Sequence, residues 1–338
     1  MTKHSSKLHF LWLLLAFIPV IVYLFNDKNS EPAYNSIDGK VFGTLYNITY
    51  QYDGNLKSEI EEELKRFDAS LSPFNTESII TKVNYNIEVR TDTFFRNVFR
   101  RAMELSAETD GTFDITTALL VNAWNFGFKK ESSPTASAID SLLQITGYQK
   151  IILRNDSIVK QDPRIMINCS AIAKGYASDV IAQFLNRKSV KNYMINIGGE
   201  IVVKGKNPNR KSWLIGINKP VDDALAVNQE IQTLFRLTDV GVATSGNYRN
   251  YYYKNGRKYA HIIDPHTGYP VANNLLSATV IAKDCMSADA YATAFMVMGF
   301  EKSKKFLDVH PEIVAYLIYY DEKEGGIQDW YSENSLYP

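Results

Sequence analysis

The chain has 338 residues, of which 45% are hydrophobic, so it is long enough to bury a sizeable core. It carries 37 Lys and Arg against 37 Asp and Glu, and no block of basic residues stands out. This balance provides no cationic field of the kind that binds nucleic acid, so the composition argues against that class of protein.

An almost wholly apolar run extends from Leu8 to Phe25 and is preceded by two lysines. A run of about 18 residues is just long enough to span a bilayer, and the positive-inside rule then leaves the rest of the chain outside the cytoplasm. We therefore expect residues 1–25 to be a transmembrane anchor in the cell inner membrane, followed by a linker over 26–36 and a periplasmic domain over 37–338. A cleaved signal peptide is the alternative, but no convincing small-x-small site follows the run.

The two cysteines, Cys169 and Cys285, are far apart in the sequence, and neither lies near the apolar run, so the pattern is not that of a lipoprotein. Two cysteines permit one disulfide, but the sequence cannot place them within bonding distance. We expect both to be small buried side chains.

Hydrophobic periodicity predicts alternating strands and helices in the first half of the chain. The predicted elements are a strand over 40–50, helices over 55–70, 91–109 and within 132–146, and a hairpin over 151–160 that turns at Asn155-Asp156. A buried strand from Ile165 then runs into a helix for which Ser170 is a plausible N-cap. A helix N-terminus suits a pyrophosphate, and Lys174 either adds a charge there or extends along the surface.

The second half predicts a strand over 193–203, interrupted by two glycines that mark a bulge or a close backbone approach. Further strands are predicted over 213–218, 230–237 and 313–319, and a last helix over 301–309. A hairpin over 248–263 is predicted to close at Asn255-Gly256. Its alternation places Tyr259, His261 and Ile263 on one face, with the histidine at the strand end.

A buried helix is predicted from Ser287 to Met298, ending at Gly299. Asp289 and Thr293 lie four residues apart and share one face of this helix. Two oxygen-bearing side chains on an apolar helix suit a hard cation such as Mg²⁺. The alternative is local hydrogen bonding, with Asp289 capping a turn and Thr293 bonding back to its own helix. Strands and helices in mixed order, with several hairpins, indicate an α+β fold.

Three segments in this order and spacing resemble the ApbE family of FAD:protein FMN transferases. They are ATSGNYRN at 243–250, HIIDPHTGYP at 261–270 and SADAYATA at 287–294, and the resemblance extends from about Val41 to about Tyr320. It implies an ApbE-like domain of mixed sheets with flanking helices, arranged as two intimate subdomains.

The resemblance also implies roles for individual residues. FAD as substrate would contact Phe42, Ser72, Thr112, Phe113, Asp114, Asn168, Lys174, Ser245, Arg249 and Ile263. Mg²⁺ would bind Asp289, Thr293 and the backbone carbonyl of Ala171. His261 would be the general base, and Asp264 would orient it or support the metal. Relatives usually have aspartate where this chain has Asn168, which keeps an acceptor oxygen and loses the charge.

The implied reaction is Mg²⁺-dependent transfer of FMN from FAD to a Ser or Thr hydroxyl, with release of AMP. The implied partner is an acceptor protein with a short Ser/Thr flavinylation motif, exposed on a membrane redox complex. Two alternatives remain open at this point: a pyrophosphatase that hydrolyses FAD to FMN and AMP, and a membrane protein that binds flavin without chemistry. Oxygen ligands alone do not distinguish Mg²⁺ from Mn²⁺.

Overall fold

A computed structural model of the chain describes residues 32–126, 134–220, 230–247, 251–254 and 257–332. Within these ranges, no helix combines the length and the hydropathy that a bilayer span requires. The predicted anchor over 1–25 lies outside the described residues, as do Arg249 and the predicted turn at Asn255-Gly256.

The described strands are β1 (Tyr34–Val41), β2 (Thr44–Gln51), β3 (Ile151–Arg154), β4 (Ser157–Lys160), β5 (Tyr193–Ile197), β6 (Glu200–Lys204), β7 (Trp213–Asn218), β8 (Ile231–Leu237), β9 (Val240–Gly246), β10 (Tyr251–Lys254), β11 (Arg257–Ala260), β12 (Leu275–Ala282), β13 (Val314–Asp321) and β14 (Gly326–Tyr331). The described helices are α1 (Lys57–Leu71), α2 (Ile79–Asn84), α3 (Thr93–Glu108), α4 (Ala118–Ala123), α5 (Ala136–Leu143), α6 (Ser170–Arg187), α7 (Cys285–Met298) and α8 (Phe300–Asp308).

Eight strands form one central sheet in the order β1-β2-β5-β6-β9-β12-β13-β14, and every neighbouring pair is antiparallel. Three antiparallel ribbons, β3–β4, β7–β8 and β10–β11, lie outside it. The α+β class is therefore confirmed. The predicted mixed sheets are corrected to one antiparallel sheet with ribbons. Three neighbouring pairs of the sheet, β1–β2, β5–β6 and β13–β14, are joined by hairpin turns, and the other four pairs by longer connections.

The sheet is covered differently on its two faces. Side chains from α1, α3, α6 and α7 form the main core with residues such as Ile48, Ile195 and Val280. The opposite face carries the β7–β8 ribbon, whose Trp213 and Ile215 pack with residues from β9, β12 and β13. The division into two subdomains stays a prediction.

Two predicted single strands are hairpins. The strand over 40–50 turns at Phe42-Gly43, and the strand over 193–203 turns at Gly198-Gly199. All four turn residues have positive φ, from 51° to 107°, which matches the primed turns that fit the twist of antiparallel strands. The glycine pair therefore forms a turn, and of the two predicted alternatives the close approach is the one present. The amide of Gly198 donates to the carbonyl of Leu45 at 2.9 Å, and a Cβ at Gly198 would lie 2.8 Å from the Thr44 side chain. In addition, β1 begins at Tyr34, inside the predicted linker.

Most of the other predicted elements are present within a few residues of their predicted ends. The helices over 55–70, 91–109 and 287–298 correspond to α1, α3 and α7, and the turn at Asn155-Asp156 closes β3 and β4. Cys169 and Cys285 are both free and buried, as predicted.

Candidate active site

A cavity of about 480 Å³ lies where the first turn of α6, the end of β9, helix α7 and the loops at 112–117 and 261–265 meet. Residues from segments far apart in the sequence thus form one wall. The predicted site residues in this wall are Thr112, Phe113, Asp114, Asn168, Ala171, Lys174, Ser245, His261, Ile263, Asp289 and Thr293.

Backbone contacts at its first turn fix the position of α7. Gly175 of α6 and Gly241 of β9 both lie against Cys285, and a Cβ atom at either glycine would come within 2.2 Å of that residue's backbone. A larger residue at either position would therefore push α7 away from α6 or from the sheet.

Two aspartates cap the N-terminus of α7. The carboxylate of Asp179 accepts hydrogen bonds from the amides of Cys285 and Met286 at 3.0 and 2.8 Å, and Asp284 accepts from the amide of Ser287 at 2.8 Å. Burial, reinforced by the nearby charge of Asp284, raises the pKa of Asp179 to about 7. The start of this helix is therefore held by polar bonds as well as by close packing.

Asp289 lies one turn further along α7 and is only 3% exposed. Its Oδ2 accepts a hydrogen bond from the backbone N–H of Gly175 at 3.0 Å and lies 3.8 Å from Nζ of Lys174. Burial raises the pKa of Asp289, while Lys174 and the Gly175 amide act in the opposite direction. The alternative that Asp289 caps a turn does not describe this bond, because Gly175 lies inside α6, and Asp289 also faces the cavity.

Lys174 lies closer to a second carboxylate, that of Glu200 at the start of β6. Its Nζ is 2.7 Å from Oε1 of Glu200, and Glu200 is only 4% exposed. Burial raises the pKa of Glu200, and the charge of Lys174 opposes that shift. When both carboxylates are ionised, the group of Lys174, Glu200 and Asp289 carries a net negative charge in a buried setting, which favours binding of a further cation.

Thr293 and Ala171 complete the predicted metal ligands. The hydroxyl of Thr293 is 3.2 Å from the hydroxyl of Ser245 on β9, rather than bonded to its own helix. Among the described residues there is no cluster of three or more His, Cys, Asp or Glu suited to a metal. The predicted set instead has one carboxylate, one hydroxyl and one backbone carbonyl, and these oxygen donors suit Mg²⁺ when water and substrate phosphate complete the shell.

The N-cap residue of α6 lies one position earlier in the sequence than predicted. The helix begins at Ser170 with Cys169 at the N-cap position, and Oδ1 of Asn168 accepts a hydrogen bond from the Ser170 amide at 3.0 Å. The predicted N-cap Ser170 is therefore wrong, because the capping side chain is Asn168. Lys174 points into the cavity and is ion-paired, so the surface alternative for it is also excluded.

His261 is the first residue after β11, which ends at Ala260. Its ring lies edge-on to Phe126 at 6.4 Å between centroids, and both side chains line the cavity. The predicted shared strand face of Tyr259, His261 and Ile263 is corrected, since the strand stops before the histidine. Ile263 instead forms an isolated bridge with Pro270.

The turn after His261 is anchored to α3 and α4. Asp264 accepts a hydrogen bond from the amide of His266 at 2.9 Å, and Nδ1 of His266 is 3.4 Å from the same oxygen. The indole N–H of Trp124 donates to the carbonyl of Gly268 at 2.7 Å, and His266 Nε2 is 2.9 Å from the carbonyl of Asp110. Asp264 therefore organises the turn and is not among the residues that line the cavity.

The loop after α3 supplies an aromatic and a carboxylate. Phe113 is 2% exposed and contributes to the main core as well as to the cavity. Asp114 accepts hydrogen bonds from the amide and hydroxyl of Thr116 at 2.7 and 2.6 Å and from the amide of Tyr148 at 2.7 Å. Burial raises the pKa of Asp114, against these bonds. The hydroxyl of Thr112 donates to the carbonyl of Thr109, the C-cap residue of α3, at 3.0 Å.

The sequence model of the ApbE family matches residues 42–318. This chain belongs to the ApbE family. It is 35% identical over 300 residues to the FAD:protein FMN transferase of Haemophilus influenzae, covering 84% of this chain and 86% of that protein. Among solved structures, the flavin transferase ApbE from Vibrio cholerae has a TM-score of 0.80 and 32% identity, covering 89% of this chain and 98% of that one. An apo flavinyl transferase ApbE from Pseudomonas stutzeri also has a TM-score of 0.80, with 28% identity and coverage of 90% and 96%.

Two residues that the family resemblance assigned to FAD lie outside this wall. Phe42 is in the β1–β2 turn with its ring 5.4 Å from that of Phe67. Ser72 is buried, and its carbonyl accepts the hydroxyl of Ser78 at 2.7 Å. From the same loop, Phe74 does line the cavity, with 68% of its surface exposed. The role assigned to Arg249 stays a prediction.

Among the cavity residues of this ApbE-family chain that sequence reasoning did not predict are Glu200 and Phe126. Glu200 follows two glycines and precedes an apolar strand, so a buried carboxylate in that setting was a usable signal. Phe126 gave no comparable signal, because an aromatic residue after a short helix is ordinarily part of a core.

Proposed function

We propose that this ApbE-family chain transfers the FMN part of FAD to a Ser or Thr hydroxyl of an acceptor protein and that it uses Mg²⁺. Flavin transfer is its activity, because the curated relatives that it matches over most of their length carry that name. One observation supports the assignment of the site: His261, Lys174, Asp289 and Thr293 line a single cavity.

The carboxylate of Asp289, the hydroxyl of Thr293 and the carbonyl of Ala171 would hold Mg²⁺. The donor set fits this ion, since all three atoms are oxygens and the surrounding charge is negative. When bound, Mg²⁺ would neutralise charge on the diphosphate as the leaving group departs.

The remaining roles belong to side chains and backbone of this chain. His261 accepts the proton of the acceptor hydroxyl, whose oxygen attacks the FMN phosphorus. A phosphorus–oxygen bond forms to the acceptor as the bond to AMP breaks, and the products are a phosphoester-linked flavin and AMP. Lys174 and the first turn of α6 bind the diphosphate through charge and backbone N–H groups. Asn168 holds that turn in place, since its side chain bonds the Ser170 amide.

Residues 1–25 would anchor the chain in the inner membrane with the catalytic domain on the periplasmic side. The apolar run preceded by lysines supports this placement. The acceptor would then be an extracytoplasmic domain of a membrane redox complex that carries a Ser/Thr flavinylation motif.

Incubating the full chain with FAD, Mg²⁺ and an acceptor domain tests the reaction. Transfer yields an acceptor with covalent flavin fluorescence in a denaturing gel, whereas hydrolysis yields free FMN and binding alone leaves FAD unchanged. We expect His261→Ala to lower the transfer rate by roughly 10²–10⁴-fold while FAD affinity changes little.

His310→Ala is the matched control, because His310 stacks on Phe306 at 4.1 Å between ring centroids, beyond α8 and outside the cavity wall. Equal transfer rates in the wild type and His261→Ala would exclude His261 as the base.

A further inference from the structure

Glu200 is a buried carboxylate of this cavity to which neither the motifs nor the proposed reaction gives a role. Its position is fixed from both sides, since it follows the Gly198-Gly199 turn and its carbonyl accepts the hydroxyl of Ser178 on α6 at 3.0 Å. Its Oε1 accepts a hydrogen bond from Lys174 at 2.7 Å. Its Oε2 is buried and has no hydrogen-bond partner among the described residues.

A buried carboxylate of this kind lowers the stability of the folded protein. A buried charge with one unsatisfied oxygen loses hydration that a single ion pair does not replace. Removing the charge of Glu200 alone would leave the ammonium of Lys174 without its nearest partner, so the role of Glu200 is to be sought in that contact. Its ion-pair partner is Lys174, which is also the cation next to Asp289.

Lys174 lies between two carboxylates and is held by one of them. Nζ is 2.7 Å from Glu200 but 3.8 Å from Asp289. Lysine is a compact charge on a flexible stem, so without Glu200 its ammonium would close on the remaining carboxylate. Asp289 would then be neutralised by Lys174, and a divalent cation would have to displace that lysine before it could bind.

We infer that Glu200 is a positioning residue that holds the ammonium of Lys174 away from Asp289 and so leaves Asp289 available to a divalent cation. This inference rests on the metal site of the proposed function. Glu200 need not touch FAD or the metal, since it acts through the location of Lys174. The arrangement also leaves Lys174 in the cavity wall, where the diphosphate is expected to bind.

Titration of the full chain with Mn²⁺ in the absence of FAD, followed by electron paramagnetic resonance of the free ion, tests this role. We expect Glu200→Gln to weaken Mn²⁺ binding by at least tenfold. The double variant Glu200→Gln with Lys174→Met should restore binding to within about threefold of wild type, because the competing cation is gone. FAD affinity should fall in the double variant, since Lys174 is lost.

Glu63→Gln is the matched control. Glu63 is a largely buried glutamate that pairs with two cations, Arg187 at 2.9 Å and Arg66 at 3.2 Å, away from the cavity. We expect this variant to bind Mn²⁺ like the wild type. Thermal unfolding of every variant then separates a loss of metal binding from a loss of folded protein.

The outcomes separate this inference from the proposed metal site. If Glu200→Gln binds Mn²⁺ as tightly as the wild type, Glu200 has no positioning role. If the double variant stays as weak as Glu200→Gln, then Glu200 does not act through Lys174, and the inference is also wrong. If the wild type itself binds no Mn²⁺, even after FAD is added to supply the diphosphate, the metal site of the proposed function fails first.

Discussion

Helix α7 and the turn from His261 to Pro270 both line the same cavity, but they are held in different ways. Backbone contacts with Gly175 and Gly241, and two capping aspartates, fix α7 inside the main core. The turn packs on a smaller hydrophobic cluster next to α4 and α5, formed by Leu120, Trp124, Ile139 and Ile263. It depends on a few hydrogen bonds, among them the one from Trp124.

Because the two regions are held differently, we expect mutations in α7 and mutations in the turn to affect different properties. The proposed metal ligands on α7 cannot move without disturbing the core, so a change there should alter stability and metal affinity together. The histidine is carried by a peripheral turn, so a change there should alter the transfer rate with a smaller effect on stability.

Gly175→Ala should have the largest effect. The new Cβ would lie 2.2 Å from the carbonyl oxygen of Cys285 and 2.9 Å from Cβ of Asp289. We expect a loss of about 4 kcal/mol in the free energy of unfolding, together with loss of Mn²⁺ binding and transfer. Urea denaturation measures the first and Mn²⁺ titration the second. Gly326→Ala is the control, because a Cβ atom at that position would meet no other atom of the described residues within 4 Å.

Trp124→Phe should have an intermediate effect and act on the turn from His261 to Pro270. It removes the indole N–H bonded to the carbonyl of Gly268 and leaves that buried carbonyl unsatisfied. We expect a loss of about 2 kcal/mol in stability and a fall of about tenfold in the transfer rate, with unchanged Mn²⁺ affinity.

Trp213→Phe is the matched control for Trp124→Phe. Trp213 is 4% exposed against 5% for Trp124, and its indole N–H donates to the carbonyl of Lys204 at 2.9 Å on the opposite face of the sheet. It should lose similar stability and keep the wild-type transfer rate. A similar fall in transfer rate for both variants would contradict the separation of the two regions.

Asp179→Asn should give the smallest effect, seen as a change with pH. Burial raises the pKa of Asp179 from 3.8 to about 7, so the folded state holds this proton more tightly than the unfolded state does. Its contribution to stability therefore falls as pH rises from about 4 to about 7. Between pH 6 and pH 7.5, the free energy of unfolding of the variant should fall by about 1 kcal/mol less than that of the wild type. Urea denaturation at the two pH values measures this, and parallel curves would contradict it.

Local patterns in the sequence predicted much of the fold. Amphipathic periodicity located α1 and α3, and Gly299 located the end of α7, where its φ is 76°. The pattern did not predict β12, which is an interior strand of the sheet, paired on both edges. Seven of its eight residues are buried, so the strand has no polar face and no alternation to detect.

Part of the chemistry of the site could likewise be predicted from the sequence. The sequence by itself determined which residue types are present, since the spacing of Asp289 and Thr293 puts two oxygens on one helical face and the family motifs locate His261. Only the tertiary structure decided which charges meet. Lys174, Glu200 and Asp289 come from two helices and a strand, and no local rule relates their positions. The pairing of Lys174 depends on distances that arise only when α6, α7 and β6 pack together, because ion-pair geometry in a buried site is set by packing rather than by spacing along the chain.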